Sequence, residues 1–366
     1  MSLKEFGHRR IQCTGRGSYI VSLPKKWVQD AGLKGGSEVF FKLSDDFSLI
    51  LAPAEAFERS EEVGKVKKEY WIGFEPKDDL GSVCRKIKAL YVSGADLMRI
   101  HFKGKENFSN FKAAINNLVR DALLGSEIVD ETPNEFTIQI LIKHPEFPVE
   151  KAIRRMATIA LSAHGNAILS LKDADEGLIQ NVLNAYKDVD RLNLYVVRQL
   201  KFGIERNLFR ELGFKTPKEF LAYRIVVNDV KSIAENARNI VNNIIALKKI
   251  IENQTLFLKE PIDEEIYSQI LNFNSLAHRL FEDSLKASFK WDYKQADSII
   301  SQTESLAMLG NKIVTLISSK KLDPNVSSIF MLIFDSSRRI IEYSRDVAEV
   351  TLNKTVEEIS SAQTLE

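Results

Sequence analysis

Residues 9–43 run RRIQCTGRGSYIVSLPKKWVQDAGLKGGSEVFFKL, and the reading of its glycines decides the N-terminal fold. Gly15-Arg16-Gly17-Ser18 lies between two β-prone runs. A dinucleotide fingerprint needs a third glycine and a helix directly after the turn. Here the β-like YIVSL follows, and no Gly-Lys-Ser/Thr of a phosphate loop is present. What remains is a glycine hairpin turn built on Gly15 and Gly17. Pro24 then opens a short helix with Lys25 and Lys26 in its first turn, and Gly32 stands near its end. EVFFKL and FSLILAP add two more strands before Pro53. A β-rich unit of about fifty residues buries little surface alone, so dimerisation is the natural way to complete its core.

The chain has 366 residues, 44% of them apolar and 28% charged, which suits a globular protein of two or three domains. Its net charge is only +1, yet residues 1–34 hold seven Lys or Arg against Glu5 and Asp30. That local excess makes Arg9, Arg10, Arg16, Lys25 and Lys26 the candidate DNA-binding residues, since phosphate backbones answer to local charge. The bland alternative is a solvated charged face. Cys13 and Cys84 form no CxxC pair, and two buried thiols in a reducing cytoplasm are expected. The N-terminus lacks an apolar h-region and no segment is long enough to span a bilayer, so a cytoplasmic location is expected.

Beyond the charged stretch AFERSEEVGKVKKE, residues 65–145 read as βαβαββ, a small α+β middle domain. Its helices are predicted near 79–91 and 108–124, and its strands in EYWIGFE, LMRIHFK, SEIVDE and FTIQILIK. His101 falls in a strand, where a partly buried structural role is expected. From Pro148 apolar residues recur at three and four, predicting six helices over 148–172, 175–202, 217–254, 263–288, 292–319 and 324–354. Pro217 and Pro324 stand at helix starts, with Thr216 as a candidate N-cap.

The helical region also repeats itself. VKSIAENARNIV in the third helix and RRIIEYSRDVAE in the sixth align Ile233 with Ile340, Glu235 with Glu342, Arg238 with Arg345 and Asn239 with Asp346. The spacing predicts a pair of three-helix bundles, about 148–255 and 263–354.

Two families now come into view. Residues 9–43 resemble the AbrB/SpoVT/MazE-like swapped-hairpin domains in the turn at Gly15–Gly17, the Leu23-Pro24-Lys25 entry, the Ala31-Gly32-Leu33 helix end and the Gly35–Val39 turn. Ser37 stands where that family usually has Asp. The resemblance implies a dimeric swapped-hairpin β-barrel over residues 1–54 that binds DNA. The repeated helices over 148–356 resemble PhoU, whose motif has the form LERIGDHAVNIA. The order of the two is similar to the archaeal type of phosphate uptake regulator.

PhoU proteins carry an acidic ExxxD pair in these helices, which implies sites for multinuclear metal clusters. This chain has Lys231 and Glu235 in one repeat and Arg338 and Glu342 in the other. A cation four residues from a carboxylate makes an ion pair on one helix face and repels a metal. The expectation is that no cofactor is bound and that Glu235 and Glu342 are degenerate remnants of metal positions.

No His-ligand spacing and no nucleophile elbow occurs in the sequence. Asp188 and Asp190 lie two apart, on different helix faces, and both are expected to face water. The fold class expected is multidomain α+β, and no enzyme activity is expected. The resemblances imply a homodimeric transcriptional regulator linked to phosphate uptake. Its partners would be DNA, itself, and a phosphate transporter or signalling protein. The alternative is a PhoU-like scaffold that docks on such a partner without binding DNA. A toxin–antitoxin role, open to the N-terminal family, fits poorly with so long a folded C-terminal region.

Overall fold

The computed structural model describes residues 8–15, 17–43, 48–54, 68–104, 108–142, 147–206, 209–210, 212–214, 216, 218–252 and 263–360. Arg16 and Pro217 lie outside them. The chain divides into two compact units, Met1–Lys67 and Lys68–Glu366.

The first unit holds two antiparallel hairpins and one short helix. Strands β1 (Gln12–Cys13) and β2 (Tyr19–Ile20) pair with Gln12 opposite Ile20. At their turn Gly17 donates to the Thr14 carbonyl at 3.0 Å with φ 81°, a conformation open to glycine. Helix α1 (Lys25–Asp30) starts after Pro24. It ends where Gly32, at φ 68°, donates to the Gln29 carbonyl and Leu33 to that of Val28. Strands β3 (Val39–Leu43) and β4 (Leu49–Pro53) form the second hairpin.

The second unit begins with a four-stranded sheet of order β5-β6-β8-β7. The strands are β5 (Glu69–Phe74), β6 (Leu97–Phe102), β7 (Ser126–Glu131) and β8 (Glu135–Ile140), and β5 runs parallel to β6. The period of two is clear: Ile72, Phe74, Met98, Ile100, Phe102, Phe136, Ile138 and Ile140 are buried. They share a core with Val83, Ile87 and Tyr91 of α2 (Leu80–Val92) and Ile115, Leu118 and Val119 of α3 (Ser109–Ala122). The alternate residues face away from that core. His101 is among them, exposed rather than buried, with Nδ1 3.2 Å from Glu135.

Six long helices follow: α4 (Val149–Asp173), α5 (Glu176–Arg206), α6 (Lys218–Glu252), α7 (Glu264–Lys290), α8 (Tyr293–Ser319) and α9 (Pro324–Ile359). Their boundaries follow their caps. Asp263 accepts the amides of Glu265 and Ile266, Asp292 that of Gln295 and Asp323 that of Asn325. Before α6, Thr216 accepts the Glu219 amide through its carbonyl. One continuous core runs through all six helices. Helices α4, α5 and α6 touch one another, as do α7, α8 and α9, and α6 lies along α9. Lys354 near the end of α9 pairs with Glu219 at the start of α6, so these two run antiparallel. None of the helices among the described residues is long and apolar enough to cross a membrane.

Helices α2 and α3, which cover the sheet, rest on α5. Leu194 packs against the sheet's core, and Arg198 donates to the carbonyl of Tyr91 at 2.7 Å.

Candidate functional site

Two regions carry the candidate residues. In the first unit Arg9, Arg10, Lys25 and Lys26 are all exposed. Arg9 donates to the carbonyl of its neighbour His8 at 2.9 Å. Lys25 and Lys26 sit in the first turn of α1, where positive charge opposes the helix dipole, so helix stability does not account for them. Cys13 is exposed and Cys84 half-buried, which corrects the expectation of two buried thiols.

The feature that the sequence announced only in outline is the unit's missing core. Among its described residues none is buried. Ile11 is 71% exposed, Tyr19 74%, Phe41 60% and Leu43 64%. Large apolar residues left uncovered to this extent form an exposed apolar surface of the kind found at interaction sites.

The second region lies where α2, α5 and α6 meet. Lys231 on α6 reaches 3.3 Å from Oδ1 of Asp190 on α5. Lys88 on α2 approaches the other oxygen of the same carboxylate at 3.6 Å. Asp190 therefore does not face water as expected, while Asp188 is exposed. Glu235, one turn along from Lys231, accepts from Arg238 at 3.1 Å, and that guanidinium lies over the Tyr186 ring, 4.0 Å from its centre. Burial, then the charge of Glu235, raises the Tyr186 phenol above its ordinary value. The predicted pair of Lys231 with Glu235 gives way to one that crosses between helices. Asp190 escaped the sequence reading because its partners come from helices far away in the chain.

With the geometry in place, comparisons with known proteins bear on it. Residues 153–244 match the PhoU domain, and residues 12–58 match the antidote-toxin recognition MazE, bacterial antitoxin family. The chain joins a MazE-like domain to a PhoU-like domain. Among solved structures, the phosphate transport system regulatory protein PhoU from Streptococcus pneumoniae is similar at 13% identity and a TM-score of 0.46, over 58% of this chain and 96% of that one. PhoU from Pseudomonas aeruginosa is similar at 17% identity and a TM-score of 0.47, over the same shares. No curated protein matches the chain.

The match to the PhoU domain ends within α6, yet the second half of the PhoU-like domain carries corresponding positions. Arg338 on α9 stands where Lys231 stands on α6. It donates to Asp335 at 2.7 Å and to Glu342, while Arg339 also donates to Asp335. Arg345 pairs with Glu349 at 2.8 Å. Counted from the N-cap aspartates Asp175 and Asp292, Asp190 corresponds to Ala307, which offers Arg338 no carboxylate across the seam. Instead a cleft of about 580 Å³ opens there, floored by Phe273, Val314 and Phe334 and edged by Arg338 and Arg345.

These residues do not fit the metal clusters that a PhoU resemblance implies. Glu235 and Glu342 each already accept from a guanidinium, and a cationic side chain stands one turn before each. Among the described residues no group of three or more His, Cys, Asp or Glu converges on a point.

Proposed function

We propose that this chain is a homodimeric, DNA-binding transcriptional regulator tied to phosphate uptake. The observation that carries the proposal is that none of the first unit's described residues is buried. Its two hairpins expose Ile11, Tyr19, Phe41 and Leu43, and a second copy is the partner that a MazE-like domain of this size calls for. Interleaving two copies doubles every basic residue across a two-fold axis. Arg9, Arg10, Lys25 and Lys26 then form one symmetric positive face, to which Arg16 adds its charge. Such a face suits the sugar–phosphate backbone, with arginine the better residue for forked contacts.

The link to phosphate rests on the PhoU-domain match over residues 153–244 and on the repeated helical motif that follows the same rhythm. In this reading the helical domain senses phosphate status through a transporter or signalling partner. The sheet docked on α5 passes that state towards the DNA-binding unit.

The test is a gel shift with the chain's own upstream DNA over a series of salt concentrations. Wild type should bind tightly at low salt and weaken steeply as salt rises. The Arg10/Arg16/Lys25 triple alanine variant should lose most of that affinity and flatten the salt slope. Absence of binding by wild type at low salt would leave the scaffold reading, in which the first unit only clamps two copies together.

A further inference from the structure

We propose that Lys231 is a resident cation that holds the seam between α5 and α6 in place of a metal ion, and that its seat also fastens α2 of the sheet domain to the helices, whereas Arg338 at the equivalent position is bound, among the described residues, only along its own helix. Lys231, Asp190 and Glu235 come from facing surfaces of α5 and α6. With an acid at position 231, three carboxylates from two helices would converge there, a donor set suited to a hard divalent cation. In this chain the ammonium of Lys231 stands 3.3 Å from Asp190 instead. A divalent ion would have to share that space with a fixed positive charge, and it would compete for Glu235 with Arg238.

The replacement goes further than charge. Lys88 brings α2 to the same carboxylate, so Asp190 is gripped from the sheet side and from α6 at once. A metal ion would tie α5 to α6, whereas two lysines tie α5 to α6 and to the sheet. Side chains 21–36% exposed keep this three-member bridge partly sheltered from solvent screening. In the second half, among the described residues of Lys68–Glu366, the sheet domain's elements pack on α5 and not on α8, and Arg338 is held along its own helix by Asp335 and Glu342. The pattern is consistent: the seat with a domain to fasten has the cross-helix carboxylate, and the seat without one has Ala307.

The experiment uses the full chain with manganese alone as the probe. Thermal unfolding is followed in EDTA and in millimolar manganese, and the metal content of the purified protein is measured. Wild type should carry no stoichiometric metal, and its Tm should not move between the two conditions. Lys231→Glu should melt about 2–4 °C lower in EDTA and recover in manganese, because it supplies a third carboxylate and removes the cation between the other two, leaving Lys88 and Arg238 at their edges. Lys231→Ala should melt lower by a similar amount and ignore manganese. The proposal is overturned by stoichiometric iron, zinc or manganese in wild type, or by a wild-type Tm that falls in EDTA. It is equally overturned by a Lys231→Glu chain that manganese does not rescue, or a Lys231→Ala chain with the wild-type Tm. Should Lys231→Glu fail to fold, the wild-type and alanine arms still decide.

Discussion

Arg198 lies almost wholly buried between α5 and the sheet, donating from Nη1 to the Tyr91 carbonyl at 2.7 Å with its guanidinium over the Tyr91 ring. Nη2 reaches Asp96 at 3.5 Å. Burial pulls the Arg198 pKa down, against Tyr91 and Asp96, which favour the charged form. One side chain therefore reinforces the end of α2 and fixes the sheet against the helices. Arg198→Ala should cost about 2 kcal/mol in urea unfolding, because the Tyr91 carbonyl loses its charged donor in a dry contact and keeps only the Gly94 amide. Arg198→Lys should recover only part of that, since an ammonium neither stacks flat nor reaches both partners. A wild-type unfolding midpoint in the alanine variant would contradict this account.

His164 on α4 and His278 on α7 face each other with ring centres 5.3 Å apart. His164 is fully buried, and neither of its ring nitrogens has a hydrogen-bond partner among the described residues. Burial pushes its pKa down to about 3, and His278 adds to the shift while nearby Asn274 opposes it. His278 is also lowered by burial, with Glu282 opposing. Because the folded pKa lies below the unfolded value, the unfolded chain takes up the extra proton between about pH 6.5 and 3. Stability is thus complete above that window and is lost as pH falls through it. The urea midpoint should drop between pH 6.5 and 4.5. His164→Leu should flatten that drop, because it removes the buried ring that cannot take up a proton in the folded chain. An identical pH slope in the two chains would show that the pair is not responsible.

Asp229 on α6 has the opposite sign. Burial raises its pKa to about 7, with the charge of Asp346 on α9 adding to it, and its Oδ2 has no hydrogen-bond partner among the described residues. As pH climbs from about 3.8 through 7 the unfolded chain releases a proton that the folded chain keeps, so folding loses stability over that range. Asp229→Asn removes the ionisation. At pH 8 the variant should unfold about 1–3 kcal/mol later than wild type, and the difference should vanish near pH 4. Paired urea titrations at the two pH values measure it.

Much of this architecture was legible in the sequence because the helices announce themselves. Apolar spacing and Pro324 put the predicted helix ends within about five residues of those observed, from Val149–Asp173 to Pro324–Ile359. The alignment of Ile233 with Ile340 likewise placed Lys231 and Arg338 in equivalent seats. What local pattern could not supply was partnership at long range. Asp190 sits on a helix face that looks merely polar until Lys88 and Lys231 are brought to it from more than one element. His101 looked like a half-buried strand residue, but its parity turns it away from the core shared with α2 and α3, and it is exposed beside Glu135. Of the candidate DNA-binding residues, Arg9, Arg10, Lys25 and Lys26 could be named from local charge, whereas the uncovered apolar face became specific only when each side chain's exposure was known.

Phe41 tests that face. It lies in β3, opposite Leu51, and is 60% exposed in one copy of the chain. An ordinary surface phenylalanine could become aspartate with an effect within about 0.5 kcal/mol. If Phe41 instead fills the shared core of two interleaved hairpin units, a carboxylate there would be buried without a partner and the dimer would come apart. Sedimentation of Phe41→Asp should then give a mass near 41.6 kDa where wild type gives twice that. DNA binding should disappear with the dimer, because the positive face exists only when two copies supply it. Lys25→Ala provides the contrast: it should weaken DNA binding and leave the mass unchanged. A Phe41→Asp chain that stays dimeric and still shifts DNA would remove the interleaved unit from the proposed function.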